Sequence, residues 1–278
     1  MTAGIVGLGL IGGSFAKAYH EKKDRVLAYD INQNVTDFAK MSGAVDDDLT
    51  KENMAECDII LVCIYPQQAA EWLEENGPYI GKQTVVIDSC GTKRDICSKA
   101  FSIAEKYGFT YVGGHPMAGT HNSGFKYSSA DMLEGAPMVI TPAKRDDIEL
   151  LSHIKELLSA AGFGMISVTT PEEHDEIIAF TSQLAHVVSS AYIKSPTAKL
   201  QKGFSAGSYK DMTRVAKLEP EMWTQLFLEN KDNLTKELDS IINNLTEYKT
   251  AIENADRETL KQLLADGTKC KIEADGGA

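Results

Sequence analysis

Long apolar runs and disulfide-forming cysteine patterns are both missing from this sequence. No stretch approaches the roughly 20 consecutive apolar residues that a helix needs to cross a bilayer, so we do not expect a membrane protein. The 5 cysteines are an odd number and include no C-x-x-C pair, which favours free thiols in a reducing compartment. A glycine-rich motif begins at residue 7 and leaves little room for a signal peptide before it. We therefore expect a cytoplasmic protein, and we predict no metal site.

Basic residues are also scarce. Lys and Arg number 28 against 40 Asp and Glu, and the formal net charge is −12. This balance argues against nucleic acid and anionic membranes as partners. An anionic substrate would need a locally basic pocket, so isolated Arg, Lys and His residues become candidates for substrate binding. With 43% hydrophobic residues, the 278 residues can bury a sizeable core in one large or two ordinary domains.

The first residues carry the pattern of a strand, a glycine turn and a helix. An apolar strand ends at Val6, and G-L-G-L-I-G follows at 7–12 before a helical run. In a G-x-G-x-x-G motif the first glycine allows the turn, the second lets the backbone approach a pyrophosphate, and the third lets helix and strand pack closely. A glycine turn without a ligand is the alternative. We expect cofactor contacts from Gly7, Gly9, Leu10, Ile11 and Gly12, with the helix N-terminus binding the phosphates.

A second predicted strand, 26–30, ends in Asp30. Asp30 follows Gly12 at close to the spacing of the carboxylate that binds the adenosine ribose hydroxyls in dinucleotide-binding folds. A carboxylate there repels a 2′-phosphate, and the next three residues, 31–33, contain no arginine to bind one. The expected cofactor is therefore NAD.

Strand and helix patterns alternate through the first part of the chain and predict an α/β fold with a Rossmann-type doubly wound sheet. The pattern then becomes entirely helical, which divides the chain into a dinucleotide-binding domain, 1–168, and a helical substrate and dimerisation domain, 169–278. A long apolar stripe on the last helices has to pack against something, and a second copy of the chain is a plausible partner. Strands are predicted over 3–7, 26–30, 58–64, 84–88, 110–114, 136–141 and 165–168. Helices are predicted over 11–22, 32–42, 66–76, 93–107, 144–161, 172–194, 209–217, 220–254 and 256–270.

Three loops follow the carboxyl ends of predicted strands, where ligands bind in open α/β sheets. Tyr65 and Pro66 are expected to line the cofactor. The loop 88–93 brings hydroxyl and N–H groups to the same edge. In the loop 113–121, His115 follows a strand and two glycines, so its imidazole is a candidate proton acceptor next to the nicotinamide. A turn histidine bonded to the backbone is the alternative, and His121 is either a substrate neighbour or a surface residue.

Two further positions could bind an anionic substrate. His186 lies on the predicted helix 172–194 among apolar residues, and from the residues alone a core histidine is the favoured explanation. Lys210 and Arg214 lie one turn apart at a predicted helix start. In an acidic protein this pair suggests carboxylate capture through the bidentate guanidinium, with a surface Arg–Asp pair as the alternative.

The sequence resembles the prephenate/arogenate dehydrogenase family, the oxidative decarboxylases of tyrosine biosynthesis. No single motif is specific, but their combination in this order is, and it extends over almost the whole chain. The motifs are G-L-G-L-I-G-G-S at 7–14, D-x-x-x-x-K at 88–93, H-P-M-A-G-T at 115–120, His-Asp at 174–175 with T-S-Q-L-A-H at 181–186, and K-D-M-T-R-V-A at 210–216.

The resemblance implies a role for several of these residues. His115 matches the histidine that binds the ring hydroxyl of the substrate and accepts its proton. Arg214 matches the arginine that binds a substrate carboxylate, and His186 matches a histidine of the substrate site. Lys210 matches a lysine that reaches the site, in some cases from the partner subunit. Thr120 ends the H-P-M-A-G-T motif and is expected at the substrate.

The turn 88–93 departs from the family's usual pattern, Asp-x-Gly-Ser-Val/Thr-Lys. The family's serine, which contacts the histidine or the substrate, falls at Gly91. We hypothesise that Ser89 or Thr92 supplies the missing hydroxyl to the catalytic site, because both lie in the same turn.

Two other departures concern the substrate site. Where the family commonly has glutamate after G-T, this chain has His121, which leaves no evident partner for the ammonium group of arogenate. Gln183 and Ala185 replace residues of the family's S-H-L-P-H. We therefore expect NAD-dependent oxidative decarboxylation of prephenate to 4-hydroxyphenylpyruvate by a homodimer. The alternatives are an arogenate (cyclohexadienyl) dehydrogenase, a 3-hydroxyacid dehydrogenase and a non-catalytic NAD-binding sensor.

Overall fold

The computed structural model describes residues 1–120 and 122–277, and eight strands in this part of the chain form one sheet. The strands are Thr2–Val6 (β1), Arg25–Tyr29 (β2), Asp47–Asp48 (β3), Ile59–Val62 (β4), Val85–Asp88 (β5), Thr110–Pro116 (β6), Pro137–Pro142 (β7) and Met165–Val168 (β8). Their order across the sheet is β3-β2-β1-β4-β5-β6-β7-β8. The two-residue strand β3 is not among the strands predicted from the sequence.

The sheet is parallel from β3 to β6, as the continuous apolar runs predict. β7 runs antiparallel to β6, because the described residues between them form a 3₁₀ turn, Phe125–Tyr127, and no crossover helix. β8 returns parallel to β7. The Rossmann-type fold is thus present with an antiparallel reversal near one edge.

Helices cover both faces of the sheet. Those of the first part of the chain are Leu10–Glu21 (α1), Gln33–Met41 (α2), Pro66–Asn76 (α3), Arg94–Tyr107 (α4) and Ile148–Leu157 (α5). Successive side chains of β1 enter opposite cores: Ile5 packs with Phe15 of α1, and Val6 packs in the core that contains Leu73 of α3. This alternation follows from the period of two residues along a strand.

The helical segments after the sheet are Pro171–Ile178 (α6), a π segment Ala179–Leu184, Ala185–Ile193 (α7), Gly207–Thr213 (α8), Pro220–Glu229 (α9), Lys231–Glu253 (α10) and Arg257–Ala274 (α11). Met1–Asn230 form one compact unit and the chain from Lys231 onward forms a second. In the second unit, the Tyr248 hydroxyl of α10 donates a hydrogen bond to the Leu263 carbonyl of α11 at 2.9 Å. The division of the chain at residue 168 stays a prediction.

Several predicted helix boundaries were wrong. The helix predicted over 172–194 is interrupted by the π segment, and the one predicted over 220–254 is two helices that meet at Asn230. Asn230 leaves helical geometry, with φ −114° and ψ 29°, because its side chain is held by buried polar groups described below. The helix predicted over 144–161 begins at Ile148, where Asp147 accepts the N–H of Leu150, and the one predicted over 209–217 is Gly207–Thr213.

The described residues contain no helix with both the length and the apolarity of a membrane span.

Candidate active site

The glycine turn between β1 and α1 has the geometry of a phosphate-binding loop. Gly7 has φ +86°, a conformation that favours glycine, and a β-carbon at Gly12 would overlap the Gly7 carbonyl oxygen. A β-carbon at Gly9, in contrast, would meet no atom within 4 Å, so this position faces open space. Gly9 is also the N-cap of α1 and provides no side-chain cap. The first N–H groups of α1 therefore stay available for an anion.

Asp30 lies beside this turn, just after β2. Its Oδ2 accepts the Leu8 N–H at 2.8 Å, and its Oδ1 accepts the Asn32 N–H at 2.9 Å. These bonds hold the carboxylate at the carboxyl edge of the sheet, next to the turn. A carboxylate oxygen can accept more than one hydrogen bond, so Asp30 can still bind ribose hydroxyls.

A buried ion pair connects the ends of the 88–93 turn. Asp88 and Lys93 are both fully buried and in contact. Asp88 also accepts the Tyr111 hydroxyl at 2.6 Å and the Gly114 N–H at 3.1 Å, while Lys93 Nζ donates to the Gly114 carbonyl at 2.6 Å. Burial alone would lower the pKa of Lys93, but the Asp88 carboxylate raises it. The pair thus stays charged, and it fixes both the N–H and the carbonyl of Gly114, the residue before His115.

A chain of three side chains begins at His115. Its Nδ1 lies 2.9 Å from Nε2 of His174, and His174 Nδ1 lies 2.7 Å from Oδ1 of Asp175. Burial alone would raise the pKa of Asp175, but hydrogen bonds from His174 and from the backbone N–H of Arg94 and Lys93 hold it below its usual value. Asp175 is therefore an ionised carboxylate that can only accept hydrogen bonds.

This acceptor determines the tautomers of both histidines. Because Asp175 only accepts, His174 must donate from Nδ1, and its Nε2 is then a bare acceptor in the neutral ring. His115 accordingly donates from Nδ1 to His174 and keeps a lone pair on Nε2. Burial, with smaller effects of His174 and the Lys93 charge, holds the pKa of His115 well below its usual value. His115 is thus a neutral imidazole with Nε2 free to take a proton.

The two hydroxyls proposed to replace the family's serine lie in different environments. The Thr92 side chain is buried and its hydroxyl donates to the carboxylate of Glu229 in α9. Ser89 is only partly buried, and its hydroxyl lies 3.5 Å from the Val62 carbonyl, at the outer limit of a hydrogen bond. Unlike Thr92, Ser89 is bonded to no carboxylate among the described residues, and its hydroxyl is the more readily redirected of the two.

His186 stacks against the indole of Trp223, with ring centroids 4.0 Å apart and an interplanar angle of 32°. Its Nδ1 donates to the Ser182 carbonyl at 2.8 Å, which leaves Nε2 as the acceptor nitrogen of the neutral ring. Burial lowers the pKa of His186, and the charge of Arg214 lowers it further. The field of Arg214 therefore reaches His186, and the two residues predicted to bind substrate lie in the same region.

The π segment affects how the two histidines of the long helical run are presented. In a regular α-helix, the step of twelve residues from His174 to His186 would place the two side chains about 120° apart around the helix axis. A π turn holds about one residue more than an α turn, which removes most of this offset. The extra residue thus brings His186 toward the side of the run that carries His174.

Most of the remaining predicted residues are exposed in the described structure, whereas Pro66 is buried. Tyr65 is exposed and precedes Pro66, the first residue of α3, at the carboxyl end of β4. Lys210 and Arg214 are exposed at the end of α8, and Thr120 is exposed with its hydroxyl accepting the Asn122 N–H at 3.2 Å. His121 lies outside the described residues. No cluster of metal-binding side chains occurs in the described part of the chain.

Several residues that build the site were not predicted as site residues. His174 and Asp175 were noted only as part of a motif, although the adjacent His-Asp pair could have suggested a hydrogen-bonded dyad. Asp88 and Lys93 carried a signal in D-x-x-x-x-K. Trp223 carried none, because its contact with His186 is between segments distant in sequence.

A phosphate-binding glycine turn and a neutral histidine lie at the same edge of one Rossmann sheet. The histidine strand is three strand spacings from the turn, about 14 Å at about 4.8 Å each, which is within the reach of an extended dinucleotide. This arrangement defines a dinucleotide-dependent dehydrogenase.

Comparison with known proteins identifies the family. Two family models match the chain: prephenate dehydrogenase, nucleotide-binding domain, over residues 14–167, and prephenate dehydrogenase, dimerization domain, over residues 170–266. The prephenate dehydrogenase of Bacillus subtilis is 30% identical over 267 residues, which cover 92% of this chain and 71% of that protein. The chain belongs to the prephenate dehydrogenase family, and it is an oxidoreductase.

Two solved structures show how far the likeness extends. Prephenate dehydrogenase from A. aeolicus, in complex with hydroxyphenyl propionate and NAD+, is 29% identical with a TM-score of 0.84, over 99% of this chain and 98% of that one. Synechocystis arogenate dehydrogenase is 27% identical with a TM-score of 0.82, over 99% and 100% of the two chains. The predicted family and fold class are confirmed, and the 3-hydroxyacid dehydrogenase and the non-catalytic sensor are set aside.

Proposed function

We propose that this protein catalyses the NAD-dependent oxidative decarboxylation of prephenate to 4-hydroxyphenylpyruvate. The observation that carries the proposal is the hydrogen-bonded chain His115–His174–Asp175 at the carboxyl edge of β6. It leaves a neutral imidazole nitrogen ready to take a proton on the side of the sheet that binds the dinucleotide.

The residues of the glycine turn fit NAD. Gly9 and the N-terminus of α1 would bind the pyrophosphate, and Asp30 would bind the adenosine ribose. Tyr65 and Pro66 would line the cofactor beyond β4. When bound, NAD takes the hydride from the ring carbon that carries the substrate's hydroxyl. Replacing Asp30 with Asn should raise kcat/KM with NADP relative to NAD; an unchanged ratio would contradict the role given to Asp30.

His115 moves the hydroxyl proton in this reaction. Its Nε2 takes the proton as the C–H bond breaks and the ring carbon becomes a carbonyl. The bond between the ring and its carboxylate then breaks, the electron pair enters the ring, and CO2 leaves. His115 returns the proton to the ring oxygen, which is now that of a phenol. Hydrogen bonding through His174 to Asp175 stabilises the transient imidazolium, and Ser89 is the hydroxyl that we place beside the ring oxygen.

The cationic side chains on the helical segments bind the substrate's two carboxylates. Arg214 supplies a bidentate guanidinium, and the neutral ring of His186, stacked on Trp223, forms part of the wall of the substrate site. Lys210 adds positive charge, from the same subunit or its partner, and Thr120 lies at the substrate. These groups account for anion binding by a chain whose net charge is −12.

We favour prephenate over arogenate because residue 121 is a histidine where an acid would pair with the ammonium of arogenate. The test supplies purified protein with NAD and either substrate, and follows NADH by its near-ultraviolet absorbance. A higher kcat/KM for prephenate is expected. A higher value for arogenate would reverse the substrate assignment, and no turnover of either would overturn the proposed function.

We also propose a cytoplasmic homodimer formed through the C-terminal helices. The matched dimerization domain includes α10, on which Ile242, Leu245 and Ile252 are each more than half exposed. Burial of such side chains is the main favourable term in most protein association. Light scattering after size-exclusion chromatography should give twice the chain's mass of 30.3 kDa, and substitution of Leu245 with Glu should reduce it to that of one chain.

A further inference from the structure

Two positions at which this chain departs from its family's pattern contact the same residue of α9. A β-carbon at Gly91 would lie 3.1 Å from Cδ2 of Leu226, closer than a comfortable van der Waals contact. Gln183 Nε2 donates to the Leu226 carbonyl at 3.0 Å. Gly91 does not have positive φ, so the backbone does not require glycine there. The nearest reason for glycine at this position is the side chain of Leu226.

Further bonds attach the end of α9 to the same region. The Thr92 hydroxyl donates to Glu229, the last residue of α9. Asn230 follows it, is fully buried, and donates to Gln183 Oε1 at 2.9 Å and to the Asp175 carbonyl at 2.8 Å. The C-terminal end of α9 is thus bonded to the 88–93 turn and to the π segment. The bond from Asn230 to the Asp175 carbonyl also connects it to the residue that orients His174.

The helix held in this way carries Trp223, whose ring covers one face of His186. Leu226 lies three residues after Trp223, which places the two side chains on neighbouring positions of α9. A change at Gly91 or Gln183 that moves Leu226 will therefore also move Trp223. On its own helical run, His186 is held at Nδ1 by the Ser182 carbonyl, and among the described residues Trp223 is the ring that covers its face.

We propose that Gly91 and Gln183 are positioning residues that seat α9, so that Trp223 holds His186 in the orientation that binds the substrate. Position 91 is then a glycine because Leu226 needs the space that a side chain would occupy, and the absence of a serine hydroxyl there is a consequence of this packing. The expected changes in KM rest on the proposed function. The expected change in Trp223 emission does not depend on turnover.

The kinetic test introduces the family's serine. Gly91→Ser should raise KM for prephenate about 3- to 10-fold, with kcat within about twofold and KM for NAD unchanged, because substrate binding and not proton transfer is disturbed. Adding Leu226→Ala should remove most of the increase that serine causes. Gly267→Ala, in a helix where the added carbon would meet only Tyr248 Oη at 3.5 Å, is the matched control and should change neither constant. A rise in kcat/KM for Gly91→Ser would overturn the proposal, as would an unchanged KM.

The spectroscopic test uses the two tryptophans of the chain. In a Trp72→Phe background, Trp223 is the remaining indole and its emission reports the stacking on His186. Gln183→Met keeps the volume of the side chain but removes both of its hydrogen bonds, and should shift or intensify this emission without substrate present. Gln262→Ala, which removes a surface amide bonded to Asp266, should leave it unchanged. Unchanged emission in Gln183→Met would overturn the seating of α9. If the emission changes but the protein turns over no prephenate, the seating of α9 by Gln183 is supported and only the proposed function is rejected.

Discussion

Lys93 and Asp88 form a fully buried ion pair, and each partner also binds a backbone polar group of Gly114, immediately before His115, the proposed proton acceptor. A buried charge that loses its partner is strongly destabilising, because its desolvation is no longer offset. Here the same pair fixes the residue before the proposed proton acceptor, so we expect stability and catalysis to depend on one interaction.

Replacing Lys93 with Met should therefore lower the free energy of unfolding by about 3–5 kcal/mol, because the Asp88 carboxylate stays buried without its cation. Urea unfolding measures the change. The control is Lys99→Met, which breaks an exposed pair with Asp95 one helical turn away and should cost less than about 0.5 kcal/mol. Equal losses in the two variants would contradict the importance of the buried pair.

Replacing Asp175 with Asn should reduce kcat by about 10²-fold or more, because an amide can donate to His174 Nδ1 and reverse both tautomers of the chain. His115 would then present an N–H at Nε2 and could not take a proton. KM for NAD should change little, since the glycine turn is untouched. The steady-state comparison includes His115→Asn, which should lose a similar factor. A variant Asp175→Asn with full kcat would show that the tautomer is not set by this carboxylate.

The pH dependence follows from the neutral state of His115. Its pKa is depressed by burial, by His174 and by Lys93, and Lys93 itself does not titrate near neutrality because Asp88 raises its pKa. Proton transfer needs the unprotonated imidazole, so kcat/KM should fall as the pH decreases through this depressed pKa. It should be level from about pH 6.5, the ordinary value, upward through the neutral range. An acidic limb with its midpoint above 6.5 would contradict the assignment.

Replacing Arg214 with Gln should raise KM for prephenate about 10²-fold, which corresponds to about 2.7 kcal/mol of lost carboxylate binding. At high salt the difference in KM for prephenate between the wild type and the variant should be smaller, because exposed charges are screened. KM for NAD should stay the same. Lys199→Gln removes a cation from the neighbouring turn 196–200 and serves as the control. A KM unchanged by loss of Arg214 would mean that the carboxylate binds elsewhere.

Local pattern was sufficient for the parts of the protein that depend on neighbouring residues. The glycine turn, Asp30 and the alternation of strands and helices are properties of short segments, and the structure contains each of them. His115 could be selected because it follows a strand and two glycines. The helix boundaries at Asn230 and at the π segment could not be predicted in this way, because Asn230 leaves the helix to bond Gln183 and Asp175.

The residues alone are enough to predict a dinucleotide-binding dehydrogenase fold and the candidates for its proton acceptor and anion-binding groups. The folded chain was needed to show that His174 and Asp175 orient His115, that Trp223 covers His186, and that Gly91 leaves space for Leu226. The physical reason is the range of the interactions. Turn geometry and hydrophobic periodicity act within a few residues, whereas these contacts join side chains that are distant in sequence and that meet only when α6, the π segment and α9 pack against the carboxyl edge of the sheet.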